Sequence, residues 1–145
     1  MSDKIDALKT LHTRLIDSQD GYEKAKEDAA STAHAALFSE MIDRRSRDHA
    51  RIHQYLTAQG VEPDESGSFL AAAHRSLVDL KSYFSKGDAA VLAEVVRGEE
   101  TLLEAYDKAL EVCGATDPEY SWLSDQYVEL KSKLAQIKGQ QAAAA

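Results

Sequence analysis

Apolar residues recur every three or four positions along most of the chain, which is the period of an amphipathic α-helix. Two such segments, at about residues 3–28 and 33–59, fill the first part of the sequence. The first stripe is Ile5, Leu8, Leu11, Leu15, Tyr22 and Ala25. The second stripe is Phe38, Ile42, Ile52 and Leu56, with Met41 and Tyr55 beside it. Each pattern predicts a long helix with one buried face.

The second part of the chain repeats this pattern after a break. Gly60 is expected to end the second helix, and Gly114 and Pro118 separate the last two. A short helix is predicted at about residues 68–85, followed by two long ones. Their stripes are Leu92, Val95, Leu102, Tyr106, Ala109 and Cys113, and then Tyr120, Leu123, Tyr127, Leu130, Leu134 and Ile137.

Four long amphipathic helices and one short helix predict an all-α domain, an antiparallel four-helix bundle. Residues 60–67 are rich in Gly, Pro, Asp and Ser and are expected to form a loop. This loop and the short helix let the chain cross over before the third long helix. A bundle with one crossover connection is ferritin-like. We assign residues 1–140 to the bundle and 141–145 to a flexible alanine-rich tail.

Composition limits the possible partners. The net charge of −8 argues against nucleic acid and against electrostatic attachment to anionic lipid. No apolar run is long enough for a signal peptide core or a membrane span, so a cytoplasmic location is expected. Cys113 is the only cysteine, which excludes an intrachain disulfide and predicts a small buried side chain.

A ferritin-like fold raises the question of a di-iron site, which needs carboxylates from all four helices and two histidines. Glu99 lies on the buried stripe between Val95 and Leu102, and His49 shares the stripe of the second helix. Ser46, three residues before His49, is a poor ligand, and the other ligand positions are filled by Leu15, Tyr127 and Leu130. The pattern therefore predicts a degenerate di-iron site.

A buried Glu99 carboxylate still needs a partner, because an unpaired buried charge is costly. Two interpretations remain open. In one, Arg45, a turn before His49, forms a buried ion pair with Glu99. In the other, His49 and Glu99 bind a metal ion, iron or manganese. The other histidines of the long helices, His12, His34 and His53, are expected at surface or boundary positions.

Several short runs together resemble a known family: residues 73–81, the turn at 87–88, residues 97–100, Tyr106 and residues 126–131. The sequence resembles domain of unknown function 2383, an uncharacterised bacterial family placed among ferritin-like four-helix proteins, over about residues 4–138. The resemblance implies the fold but no established activity. Within the first run, His74 and Asp79 are expected to anchor the short helix on the bundle by hydrogen bonds.

The function that these observations favour is a non-catalytic structural or interaction module without a cofactor. It would act as a homodimer or bind a protein partner. The alternative is an iron- or manganese-binding oxidase or an iron-handling protein of ferritin type. A small-molecule binder with a cavity at the metal position is a third possibility.

Overall fold

The structure, a computed structural model, describes residues 3–28, 32–63 and 83–144. Within these ranges the chain forms four long α-helices, a short 3₁₀ turn at Phe84–Lys86 and no β-strand. The predicted all-α fold is confirmed. The helices are α1 (Asp3–Asp28), α2 (Thr32–Ala58), α3 (Asp88–Val112) and α4 (Pro118–Ala144).

The end of α2 shows why Gly60 stops the helix. Gly60 has a φ of +79°, which a residue without Cβ adopts at little cost. Its N–H donates to the Thr57 carbonyl at 3.0 Å, and the Val61 N–H donates to the Leu56 carbonyl at 2.9 Å. These two bonds form a Schellman motif, which satisfies carbonyls that the helix end leaves without partners.

Most of the predicted short helix falls at residues 64–82, outside the described residues. The predicted roles of His74 and Asp79 therefore stay predictions. At the other end of the chain, α4 continues to Ala144, so the predicted boundary at residue 140 does not coincide with a helix end.

Two hydrophobic clusters form the core. The first centres on Tyr22, Phe38, Val95 and Ile137, and the second on Leu8, Leu11, Ile52, Leu102 and Leu123. Every long helix contributes to both clusters, which is how the amphipathic stripes are buried. Cys113 is buried in the second cluster, as predicted.

The order of the two clusters differs between helices. Along α1 and α4 the second cluster comes first, whereas along α2 and α3 the first cluster comes first. Ser18, Arg45 and Glu99 each lie between the two clusters on their own helix. A layer of polar side chains therefore separates the two apolar parts of the core.

Helix α1 packs against α2 and α3, and α3 also packs against α4. Ion pairs join α2 to α4: Lys133 Nζ lies 2.9 Å from Glu40 Oε1, and Arg47 Nη2 lies 3.1 Å from Glu129 Oε1. None of the helices in the described part of the chain is long and apolar enough to cross a membrane.

The buried face of α4 differs from its predicted stripe at one important position. Gln126 is buried, whereas Tyr127, which was expected to face inward, is only partly buried. Gln126 lies between Leu123 and Leu130 on the helix and satisfies its amide inside the core. Because Gln126 is buried, the interior of the bundle is more polar than the apolar pattern predicted.

A smaller difference occurs on α2, where Met41 is fully buried and its neighbour Ile42 is only partly buried.

Candidate functional site

The polar layer at the centre of the bundle is built around Glu99 of α3. Its side chain is 1% exposed, and both of its carboxylate oxygens have partners. Arg45 Nη2 donates to Oε1, and the Tyr22 hydroxyl donates to Oε2 at 2.6 Å. The structure thus brings together the two residues of the expected ion pair, and it adds a tyrosine that the sequence pattern placed only in the core.

Arg45 is held from more than one side. Its Nε donates to Ser18 Oγ at 3.0 Å, and its Cζ lies 6.0 Å from the centre of the Tyr22 ring. Burial by itself lowers the pKa of Arg45, but the charge and hydrogen bond of Glu99, together with the nearby Tyr22 and Tyr106 hydroxyls, outweigh burial and raise that pKa, so the guanidinium remains protonated. A charged donor with several fixed partners holds the carboxylate in one position.

Tyr22 is a neutral donor in this network. Burial, followed by the nearby Glu99 charge, raises the pKa of Tyr22 well above its usual value, which keeps the hydroxyl protonated. The network Ser18, Arg45, Glu99 and Tyr22 therefore combines one cation, one anion and two hydroxyls, and it joins α1, α2 and α3.

A second buried network begins at Tyr106 of α3. The Tyr106 hydroxyl donates to Gln126 Oε1 at 2.8 Å, and Gln126 Nε2 donates to the Asp48 carbonyl at 3.5 Å. Burial, followed by the Asp48 carboxylate, raises the pKa of Tyr106 well above its usual value. This chain of hydrogen bonds links α3, α4 and α2 and explains why a glutamine is tolerated in the core.

His49 lies in a different group from Glu99. Its ring is 4.7 Å from the His12 ring and 6.1 Å from the His53 ring, measured between centroids. Among the described residues, the group of three or more possible metal ligands close enough to share one ion is His12, His49 and His53. Glu99 is not a member of this group. The predicted metal site formed by His49 and Glu99 therefore stays a prediction.

Two histidines do not lie where the sequence analysis placed them. His12, expected at the surface or boundary, is fully buried, because it shares the α1 face of Leu8 and Leu15 at a spacing of four and three residues. That spacing was the signal that would have identified it. His34 is also buried, packed near Phe84, with Nε2 3.0 Å from Asp88 Oδ1. Only His53 is at the expected boundary position.

A third cluster joins the start of α1 to the start of α4. Lys4 Nζ lies 2.9 Å from Glu119 Oε1 and 3.2 Å from Asp117 Oδ2, and the Tyr55 hydroxyl donates to Glu119 Oε1 at 2.5 Å. Glu119 is 2% exposed. Burial raises the pKa of Glu119, but the hydrogen bonds from Tyr55 and Lys4, a backbone hydrogen bond and the Lys4 charge together outweigh burial and lower that pKa below its ordinary value of 4.5.

This lowered pKa gives a pH-dependent contribution to stability. A carboxyl whose pKa is lower in the folded state stabilises the fold above its unfolded pKa, and this stabilisation is lost as the pH falls through the folded pKa. We expect Glu119→Gln to be less stable than wild type at pH 7, with the difference shrinking below about pH 4.5. Urea unfolding from pH 7 to pH 3 measures this difference. Glu62→Gln, at an exposed position, is the control; a difference that stays constant with pH for Glu119→Gln would contradict the expectation.

Fold and site together define a helical bundle protein whose centre holds a charged network made of its own side chains. The chain belongs to the family described as Domain of unknown function (DUF2383), whose model matches residues 3–112. The match covers α1 to α3, and α4 lies beyond it. No curated protein and no solved structure matches the chain.

Proposed function

We propose that this protein is a non-catalytic structural or interaction module: a ferritin-like bundle in which an ion pair takes the place of the metal pair. The observation that carries the proposal is the engagement of Glu99. One carboxylate oxygen accepts from Arg45 and the other from Tyr22. In metal-binding bundles of this type, an inward carboxylate at the centre is a ligand instead.

The order of the core clusters supports the ferritin-like arrangement. Because the clusters appear in opposite order along α1 and α2, these helices would run antiparallel, and the same holds for α3 and α4. Helices α2 and α3 have the same order and would run in the same direction. The connection from α2 to α3 would then be the single crossover of a ferritin-like bundle.

Charge and side-chain chemistry at the centre disfavour an iron or manganese pair. The Arg45 guanidinium is positive and lies against Glu99, so a cation at this carboxylate would be repelled unless Arg45 moved out. Arg45 is 2% exposed, and moving it would leave a buried charge or open the core. Leu15 and Leu130, at two positions where the sequence analysis expected ligands, are buried apolar residues that offer no ligand atom.

Metal analysis of untagged protein, purified without chelators, tests the proposal. We expect iron and manganese well below one ion per chain, and equal Fe²⁺ oxidation rates for wild type and Glu99→Gln. Equal rates would follow because Glu99 is occupied by Arg45 and Tyr22 and does not bind the ion. About one iron or manganese per chain that is lost in Glu99→Gln would contradict the proposal and support the oxidase or iron-handling alternative.

The proposed setting of this module is cytoplasmic, and its proposed partner is a second copy of the chain or another protein. The net charge of −8 supports the exclusion of nucleic acid. Light scattering coupled to gel filtration measures the oligomeric state, and a mass of twice the chain is expected for the homodimer.

A further inference from the structure

Three histidines meet where α1 and α2 pack together. His49 and His53 are four residues apart on α2, which puts both rings on one face of the helix, and His12 faces them from α1. A ring nitrogen from each histidine can be chosen so that all three lie within 4.8 Å of one another. The group is one turn of α2 beyond Arg45, about 6 Å along the helix axis.

The distances suit a small tetrahedral ion. Zinc binds imidazole nitrogen at about 2.0–2.1 Å, so two nitrogens of one tetrahedral site are about 3.3 Å apart. His12 Nε2 and His53 Nδ1 are 3.3 Å apart. His49 supplies the third ligand atom of a group that lies within 4.8 Å, so its ring would have to move closer to reach tetrahedral spacing. Two histidines four residues apart on one helix face are also the arrangement by which several zinc enzymes hold one ion.

We infer that His12, His49 and His53 form a binding site for one zinc ion, with water as the remaining ligand. Burial of the site is graded, because His12 is fully buried while His49 and His53 are partly exposed. The ion can therefore enter from solvent past His49 and His53, and His12 is the buried ligand on the inner side. Asp20 of α1 interacts electrostatically with His49.

The donor set limits which metals fit. Imidazole suits zinc, copper, iron and nickel, whereas manganese and magnesium favour carboxylate and carbonyl oxygens. The three-histidine group contains no carboxylate, so the site differs in chemistry as well as position from the centre at Glu99. Ligands from two helices would make zinc a link between α1 and α2, which predicts that zinc raises the melting temperature.

Zinc chloride alone is the probe, added to the untagged full chain and followed by competition with a chromophoric chelator. We expect one zinc per chain. Replacing a residue that only hydrogen-bonds to a metal ligand typically weakens metal affinity by 10–100-fold. We therefore expect His49→Ala and His53→Ala, which remove ligands themselves, each to weaken zinc affinity by about 100-fold. His34→Ala removes a histidine of α2 outside the group and should bind zinc like wild type. The two partly exposed positions are chosen because the buried His12 is harder to replace without loss of folding.

Melting curves give a second measurement. At a zinc concentration about 100-fold above the dissociation constant, wild type and His34→Ala should gain roughly 5–10 °C, and magnesium should give no shift. The inference is overturned if wild type binds no stoichiometric zinc, which would leave the 3.3 Å contact as a hydrogen bond between the two rings. It is equally overturned if His49→Ala and His53→Ala keep the affinity of His34→Ala. Neither result bears on Glu99, so the proposed function is tested separately.

Discussion

Replacing Glu99 by alanine is expected to destabilise the protein by about 3–5 kcal/mol, a large part of the 5–15 kcal/mol typical of a domain. The substitution leaves the Arg45 guanidinium buried without its anion and leaves the Tyr22 hydroxyl without its acceptor. Removing one member of a buried pair costs more than the pair contributes, because the other charge stays desolvated. For a chain of this size the melting temperature should fall by roughly 10–20 °C.

The matched control is Glu129→Ala. Glu129 also forms ion pairs with arginines, Arg44 and Arg47, but its side chain is half exposed. Solvent screens such pairs, so the control should change stability by about 1 kcal/mol or less. Urea unfolding of both variants measures the comparison, and equal effects would contradict a buried charge network at the centre.

A double variant separates the charge from the packing. Arg45→Met together with Glu99→Gln removes both charges and keeps an amide oxygen that accepts from Tyr22. Replacing a whole buried pair by neutral groups is often tolerated, so the double variant should be clearly more stable than Glu99→Ala. If the destabilisation of the double variant equals the sum of the destabilisations of Arg45→Met and Glu99→Gln, the two residues are not coupled and the ion-pair interpretation fails.

The contrast between Glu99 and Gln126 shows what the sequence pattern can predict about this centre. Glu99 was recognised as buried because apolar residues flank it on one stripe, and burial then required a cation. Arg45 was the cation on the facing stripe of α2, and the structure places it there. Gln126 has the same kind of position between Leu123 and Leu130, yet the predicted stripe runs through its neighbour Tyr127 and does not include it. Its burial depends on Tyr106 and Asp48, which are remote in the sequence.

The histidine group was missed for a related reason. Helical period shows that His49 and His53 share a face and that His12 shares the face of Leu8 and Leu15. It does not show how α1 and α2 are rotated against each other, and this rotation alone brings the three rings together. Periodicity therefore identifies which residues face inward on each helix, whereas the pairing of residues from different helices needs the packed structure.

The second large effect is expected from removing α4, the helix that the family match does not cover. A chain that ends after Gly114 loses four buried apolar side chains that complete both core clusters: Leu123, Leu130, Leu134 and Ile137. At about 1.5–3 kcal/mol each, their burial is worth roughly 6–12 kcal/mol, comparable to the whole stability of a domain. The truncated chain should therefore show no cooperative unfolding transition.

Far-UV circular dichroism in increasing urea measures this loss, and a chain that ends after Gln140 is the matched control. The control removes no side chain that belongs to either core cluster and should unfold like the full chain. Because two truncated chains can cover each other's exposed faces, the measurement is repeated over a range of protein concentrations. A cooperative transition of the truncated monomer, with a midpoint independent of concentration, would show that α1 to α3 fold alone. In that case the Tyr106 hydroxyl would need a hydrogen-bond partner other than Gln126, and α4 would be an addition to the family's fold rather than a helix that the fold requires.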